Sequence, residues 1–263
     1  MPDYQMHLTS IQEPMSDKHT AGDLSFGPLY KRVKMRIMQG LANGEWKSGE
    51  AIPSEARLTE EFQVSIGTIR KAIDELAAEK ILVREQGRGT FVATHTEDRF
   101  LYYFFRIVDR NGVKIFPESQ MLSFRRMRAD ANQAERLQIA RGARVIRINN
   151  LLKLGGKPVE IDEITLPAER FSGLTEEMLL TRSSTIYHLY QAQFGINVIR
   201  AAEKLRAVTA DGETARILHL QKGSPVLEID RVAYTYNNLP VELRSSYVNT
   251  VNHDYFNDLG KST

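Results

Sequence analysis

The segment FQVSIGTIRKAIDEL, Phe62 to Leu76, gathers groups that handle anions. Ser65 and Thr68 bring hydroxyls, Arg70 and Lys71 bring cations, and Gly67 keeps the space among them clear. At the head of a helix such hydroxyls and the free N–H groups suit phosphate, and a guanidinium can reach a phosphate or a guanine edge. A second feature is Gly87-Arg88-Gly89, an arginine that a turn could push into a minor groove and that, taken alone, is only a turn. A third is VELRSSYV, where Glu242, Arg244 and Ser246 alternate with Val241, Leu243 and Tyr247. That polar face is either solvated or turned into a cavity, with Glu242 and Arg244 orienting a ligand.

Catalytic patterns are missing. The six histidines have no metal-ligand spacing, and HExxH, P-loop and GxSxG sequences are absent. Glu60-Glu61 and Glu176-Glu177 read as solvated helix faces. No nucleophile, base and orienting group can be assembled, so a binding protein without cofactor or metal is expected rather than an enzyme.

The elements that must position these groups are legible. The 263 residues are 42% apolar and 26% charged, enough for two ordinary domains, and a net charge of +2 supplies no large basic field. There is no cysteine, and no apolar run reaches the ~18 residues of a membrane span. Asp3, Glu13, Asp17 and Lys18 interrupt the first 25 residues, which lack a signal peptide's apolar stretch. A mobile tail over 1–26 and a cytoplasmic location are expected. From Pro28, the stripe Leu29, Val33, Ile37, Leu41 predicts a helix that Asn43-Gly44 ends. Ser54 caps a helix from Glu55 to about Phe62, Gln63-Val64 turns, and Ser65 caps a second helix to about Glu79. Ile66, Ile69, Ile73 and Leu76 form its inward stripe. Ile81-Leu82-Val83 and Thr90-Phe91-Val92 flank the turn Gln86–Gly89. Helix, helix-turn-helix and hairpin together describe a winged helix.

The run PSEARLTEEFQVSIGTIRKAIDELAAEKILVREQGRGTFV resembles the DNA-binding domain of the GntR family of bacterial regulators, over residues 27–94. The resemblance implies DNA contacts from Arg57, Ser65, Thr68, Arg70, Arg88, Gly89 and Thr90, to which the residue reading adds Gly67 and Lys71. Many relatives carry arginine where Ile66 stands, and some where Ala56 stands, so the family's usual operator is not carried over to this chain without a test.

After a polar linker over 95–99, the period changes. FLYYFFRIV and SQMLSFRRM look like strands around the turn Asp109–Gly112, and DANQAERLQI like a short helix. VIRINNLLKLGGKPVEID aligns without gaps with LEIDRVAYTYNNLPVELR, Pro158 matching Pro240. Each copy is strand, tight turn and return strand, and each follows a short helix. The pattern predicts a duplicated α+β domain with hairpins related by an approximate two-fold and a pocket between the halves. In the repeat, Asp162 takes the place of Arg244. Between the copies, SSTIYHLYQAQFG predicts a helix from Thr185 to about Phe194, capped by Ser184 or Ser183, whose N-terminus could receive an anion or simply be capped.

Residues 100–260 are similar to the UTRA effector domain of the HutC-type GntR subfamily, through GKPVEIDEITLP, STIYHLY, LQKGSPVLEIDRVAY and LPVELRSSYVNT. The implied fold is α+β, an antiparallel sheet like that of chorismate lyase behind an N-terminal winged helix-turn-helix. The implied effector contacts are Ser184, Thr185, Tyr187, Glu242, Arg244 and Tyr247, with Asp162 joining them. Relatives that sense sugar phosphates carry two arginines where Asn150 and Leu152 stand, which points to a small acid, amine or other metabolite. The resemblance thus implies a metabolite-responsive regulator, acting as a repressor, a homodimer on a pseudo-palindromic operator, with no membrane partner. The alternative is a chorismate-lyase-like enzyme carrying a DNA-binding domain.

Overall fold

The computed structural model describes residues 28–96 and 103–258. The expected tail over 1–26, linker residues 97–99 and the first residues of FLYYFFRIV lie outside the described residues.

Helix α1 (Leu29–Ala42) buries Val33, Ile37 and Leu41. Helix α2 (Glu55–Phe62) starts where Ser54 Oγ accepts the Arg57 N–H and ends at Gln63, whose φ is +53°. Ser65 Oγ likewise accepts the Thr68 N–H to begin α3 (Ile66–Ala78). Ile69, Ala72, Ile73 and Leu76 close against α1 and Leu58. Leu58 is 0% exposed, and burying such a side chain contributes about 2 kcal/mol. Ile66, expected in this stripe, is 47% exposed instead. It is the first residue of the helix and faces forward, one turn ahead of the contact with α1. Strands β1 (Leu82–Glu85) and β2 (Gly89–Val92) pair antiparallel to form the wing, with Leu82 opposite Val92.

Strand β3 (Ile107–Asp109) departs from expectation. It does not form a hairpin with β4 (Glu118–Arg128) but pairs with the late strand β10 (His253–Tyr255). The turn itself forms, because Asp109 Oδ1 accepts the N–H groups of Asn111 and Val113. The chain beyond it is not extended along β3, and Arg110 instead ties the turn to Asp254 at 2.8 Å.

The remaining elements are α4 (Ala131–Leu137), β5 (Arg144–Leu154), β6 (Lys157–Pro167), α5 (Glu176–Leu180), α6 (Ile186–Phe194), β7 (Arg200–Thr209), α7 (Gly212–Ile217), β8 (Pro225–Tyr234) and β9 (Pro240–Val248). Six strands form one antiparallel sheet in the order β4-β5-β6-β9-β8-β7. The duplication is therefore real. Each half is strand, short helix, strand, return strand, and the two return strands meet at the centre. Glu163 and Ser245, equivalent in the repeat, pair directly, so the pseudo-two-fold passes between them. The hairpin turns use positive φ in both halves, +55° and +75° at Gly155-Gly156, +58° and +54° at Asn237-Asn238.

One face of the sheet is covered by α5 and α6, over a core that includes Ile146, Ile148, Ile164, Tyr187, Tyr190 and Val241. On the other face, α4 packs near Val145 and Leu243, and α7 near Leu151 and Ile161. Beside α7 on that face lies an open groove of about 1030 Å³, bordered by Arg147, Asn149, Glu163 and Tyr247. The turn after β8 reaches the winged helix. Tyr236 is buried in that unit's core, and Asn237 Nδ2 lies 3.4 Å from Gln39 Oε1 on α1.

Candidate functional site

Two clusters of functional groups emerge. The first is the front of α3. Ser65 Oγ and Thr68 Oγ1 lie 2.9 Å apart, and both hydroxyls sit at the helix start. A Cβ on Gly67 would meet only Ser65 Oγ, at 3.9 Å, so packing does not demand glycine there; its effect is an open backbone. Arg70 is held from behind by Glu55, which accepts from Nε at 3.2 Å and Nη2 at 3.1 Å. Glu55 also pairs with Arg84 of β1, which in turn meets Asp74. Glu55 and Arg84 escaped the sequence reading, since only the fold puts the wing beside α2. Lys71 stands apart, its Nζ 4.1 Å from the centre of the Tyr30 ring on α1. Arg57 is exposed on α2. Arg88 projects from the wing tip, its side chain 72% exposed and ion-paired with Glu85. Gly87 and Gly89 beside it take φ of +73° and +125°, which only glycine adopts freely. Thr90 follows in β2.

The second cluster is built where β6 and β9 meet under α6. Glu242, 0% exposed, accepts four hydrogen bonds: from Tyr187 and Arg244 Nε at one oxygen, both at 2.9 Å, and from Tyr190 at 2.8 Å and Arg244 Nη2 at 3.1 Å at the other. Every lone pair of the carboxylate is used. Arg244 Nη1 continues to Asp162 Oδ2 at 2.9 Å, and Ser246 donates to the other Asp162 oxygen. The polar face of β9 is thus neither solvated nor loose. Burial on its own would lower Arg244, but Glu242 and Asp162 outweigh it and hold the guanidinium firmly charged. Burial, reinforced by the Glu242 charge, pushes both tyrosines far up, so they stay protonated donors. Glu160, which matches Glu242 in the repeat, is pushed well up by burial and by the neighbouring Asp162 charge. The repeat carried the signal for Glu160, unused in the sequence reading.

Above Asp162 and Arg244 opens a cavity of about 50 Å³. Its wall includes Asn150, Leu152, Ser184, Thr185 and Ile186, with Phe116 and Pro117 also lining it. Arg182 lines it too, donating to Ser119 Oγ and the Leu179 carbonyl, with no carboxylate partner among the described residues. Burial lowers its pKa, and the like charge of Arg244 acts in the same direction. Arg182 also went unnoticed in the sequence, being just ahead of the motif.

The structure brings Asp162, Ser184, Thr185 and Arg244 to this cavity, with Glu242 and Tyr187 supporting it from beneath. Two expectations need correction. Tyr247 lies on the opposite face of the sheet, lining the groove, because strand alternation sends it away from Glu242, Arg244 and Ser246. The α6 cap is Thr185, whose Oγ1 accepts the His188 N–H at 3.1 Å, not Ser184 or Ser183. Ser184 is left to face the cavity. Among the described residues no cluster of His, Cys, Asp and Glu could hold a metal ion.

Comparison with known proteins covers both parts of the chain. Residues 29–92 match the family of bacterial regulatory proteins, gntR family, and residues 114–254 match the UTRA domain. The histidine utilization repressor of Pseudomonas putida is 31% identical over 78% of this chain and 81% of its own length. The probable fructoselysine utilization operon transcriptional repressor of Escherichia coli K12 is 29% identical over 82% of this chain and 88% of its own length. Among solved structures, the ligand-binding domain of a chain assigned to the GntR-family regulators, from Bordetella bronchiseptica, superposes with a TM-score of 0.58 at 37% identity. It covers 60% of this chain and 99% of that one.

Proposed function

The chain belongs to the GntR family of bacterial regulatory proteins, with a UTRA domain behind its winged helix, and from that premise we propose which of its residues bind DNA and which bind the effector. It is a DNA-binding transcriptional repressor that responds to a metabolite. We assign 27–94 to the DNA-binding domain, 95–99 to the linker and 100–260 to the effector domain. The heads of α2 and α3 and the wing contact operator DNA, through Arg57, Ser65, Thr68, Arg70, Arg88 and Thr90. Glu55 aims Arg70 from behind, and Lys71 meets the phosphate backbone from the side of α3.

The observation that carries the effector reading is the cavity over the Asp162–Arg244–Glu242 chain, with Arg182 at its wall. Arg244 is already neutralised by two carboxylates, so it orients rather than attracts. Among the described residues Arg182 has no such partner, and the N-terminal turn of α6 lies beside it. Together they suit a single carboxylate, while Asp162 and Asn150 suit hydroxyl or amino donors on the same molecule. The effector is therefore a small carboxylate-bearing polar metabolite. Two relatives are named for the use of histidine and of fructoselysine, compounds that carry carboxylates. Ligand pockets span about 300–1,000 Å³, so on this reading the cavity widens as the effector enters, and the segment leading into α6 forms part of its wall. The role is binding rather than catalysis, because Glu242 has no free lone pair and Tyr187 and Tyr190 hold their protons far above neutrality.

The protein acts as a cytoplasmic homodimer on a pseudo-palindromic site. The test is selection of genomic fragments by the purified chain, followed by competition with small carboxylates. Enrichment of an inverted repeat, released by one such compound, supports the reading; an operator complex indifferent to every carboxylate but released by a neutral or cationic metabolite removes the assignment of Arg182.

A further inference from the structure

Helix α6 faces two ways. Its first turn, Thr185 and Ile186, walls the effector cavity. Further along, His188 and Gln191 of the same helix grip the chain that leaves the winged helix. Gln191 Oε1 accepts the His95 N–H at 2.8 Å, and Gln191 Nε2 lies 3.4 Å from the Ala93 carbonyl. His188 Nδ1 lies 3.0 Å from the His95 carbonyl. A carbonyl only accepts, so this imidazole carries a proton on Nδ1. The His95 ring is buried, 5.8 Å from the rings of both Tyr187 and Phe104. Ala93 directly follows β2, so the grip acts on the base of the wing.

The winged helix is also held at a second point. Tyr236, in the turn between β8 and β9, inserts among the buried residues of α1 and α3, and its hydroxyl accepts from Asn197 Nδ2 at 2.8 Å. A single point of contact leaves a body free to pivot. A second contact on another element restricts that pivoting. Tyr236 supplies the pivot, and the pair on α6 limits rotation about it.

We propose that His188 and Gln191 are positioning residues for DNA recognition: from the effector domain they set the orientation of the DNA-binding head, and so the separation of the two heads in the dimer. They touch neither DNA nor the effector cavity. Because the wall of the cavity and the grip on the linker belong to one short helix, an effector that moves α6 moves the grip. The proposal rests on the assignment of the winged helix to DNA and on the dimer, and it deepens that reading by naming the residues that couple the two domains.

The test uses the full-length chain and a set of duplexes carrying two copies of the selected half-site, stepped in spacing across one helical turn. Wild-type protein prefers one spacing, with affinity falling at least about tenfold when the half-sites are moved by about two base pairs, roughly 7 Å, since only matched geometry lets both heads engage. Gln191→Ala and His188→Ala are expected to flatten this profile to within about threefold while binding a single half-site as wild type does. Gln191→Glu retains an acceptor for the His95 N–H and is expected to retain the sharp profile. A sharp profile that survives both alanine substitutions overturns the proposal alone, as does a wild-type profile that is already flat. Wild-type protein that binds no half-site overturns the DNA-binding reading and takes this proposal with it.

Discussion

Replacing Glu242 by glutamine keeps the shape of the side chain and removes its charge, which isolates what the buried carboxylate does. Four donors converge on it: two tyrosine hydroxyls and two guanidinium N–H groups. A glutamine offers one accepting oxygen and an amide that itself donates, so two of the four donors lose their acceptor. Arg244 cannot shed its proton and keeps only Asp162 as counter-charge. Breaking a buried ion pair from one side costs about 3–5 kcal/mol, and Asp162 places this case at the lower end, about 3 kcal/mol. For a domain of this size each kcal/mol lowers Tm by about 2–4 °C, so the expected loss is about 6–12 °C. The assay is thermal unfolding followed by far-UV circular dichroism, to which the helices and strands of both units contribute. Trp46, the single tryptophan, lies in the winged helix, and its fluorescence separates loss of that unit from loss of the sheet. The dichroism midpoint should fall by the stated amount with a smaller change at Trp46. A midpoint within about 2 °C of wild type near pH 7 would refute the claim that four hydrogen bonds converge on a buried, charged Glu242.

Three other outcomes are expected. Arg70→Ala should weaken operator binding about 10- to 100-fold with the melting profile unchanged, read by titration of the selected fragment; equal affinity removes Arg70 from the base contacts. Arg182→Ala should leave operator binding without effector as it is, and raise the effector concentration needed for release about 10- to 100-fold, the value of a charge-assisted contact; an unshifted dose curve rejects the carboxylate assignment. Glu160→Gln should gain stability relative to wild type as pH rises. The folded chain raises the Glu160 pKa above its ordinary 4.5 through burial and Asp162, so it binds more protons than the unfolded chain above that value. Wild-type stability contributed by the protonated group is full below the ordinary value and declines with rising pH through that window, whereas glutamine does not titrate. Parallel denaturant curves for the two proteins from pH 5 to 9 would contradict a buried, protonated Glu160.

Much of the candidate site was legible because it is local in the chain. The helix boundaries of α2 and α3 follow from Ser54 and Ser65, each bonding a backbone N–H three residues on. The shared face of Glu242, Arg244 and Ser246 follows from strand alternation, and the same rule, applied consistently, already places Tyr247 on the other side. The repeat matched Asp162 with Arg244, and the structure makes them ion-pair partners, since equivalent positions beside a pseudo-two-fold axis meet across it.

What the amino-acid order determined alone is therefore periodic or short-range: caps, turns with positive φ, alternating faces and the duplication. The tertiary structure decided the rest. It paired β3 with β10 instead of its neighbour β4, aimed Glu55 at Arg70, left Arg182 without a carboxylate among the described residues, and gave Thr185 the cap that freed Ser184 for the cavity. It also set the α6 side chains on the linker and Tyr236 in the winged helix. These contacts join residues distant in the chain, or choose between neighbours with equal local claims. Neither periodicity nor propensity carries information about them, because their free energy exists only once the sheet has brought the partners together and excluded water from between them.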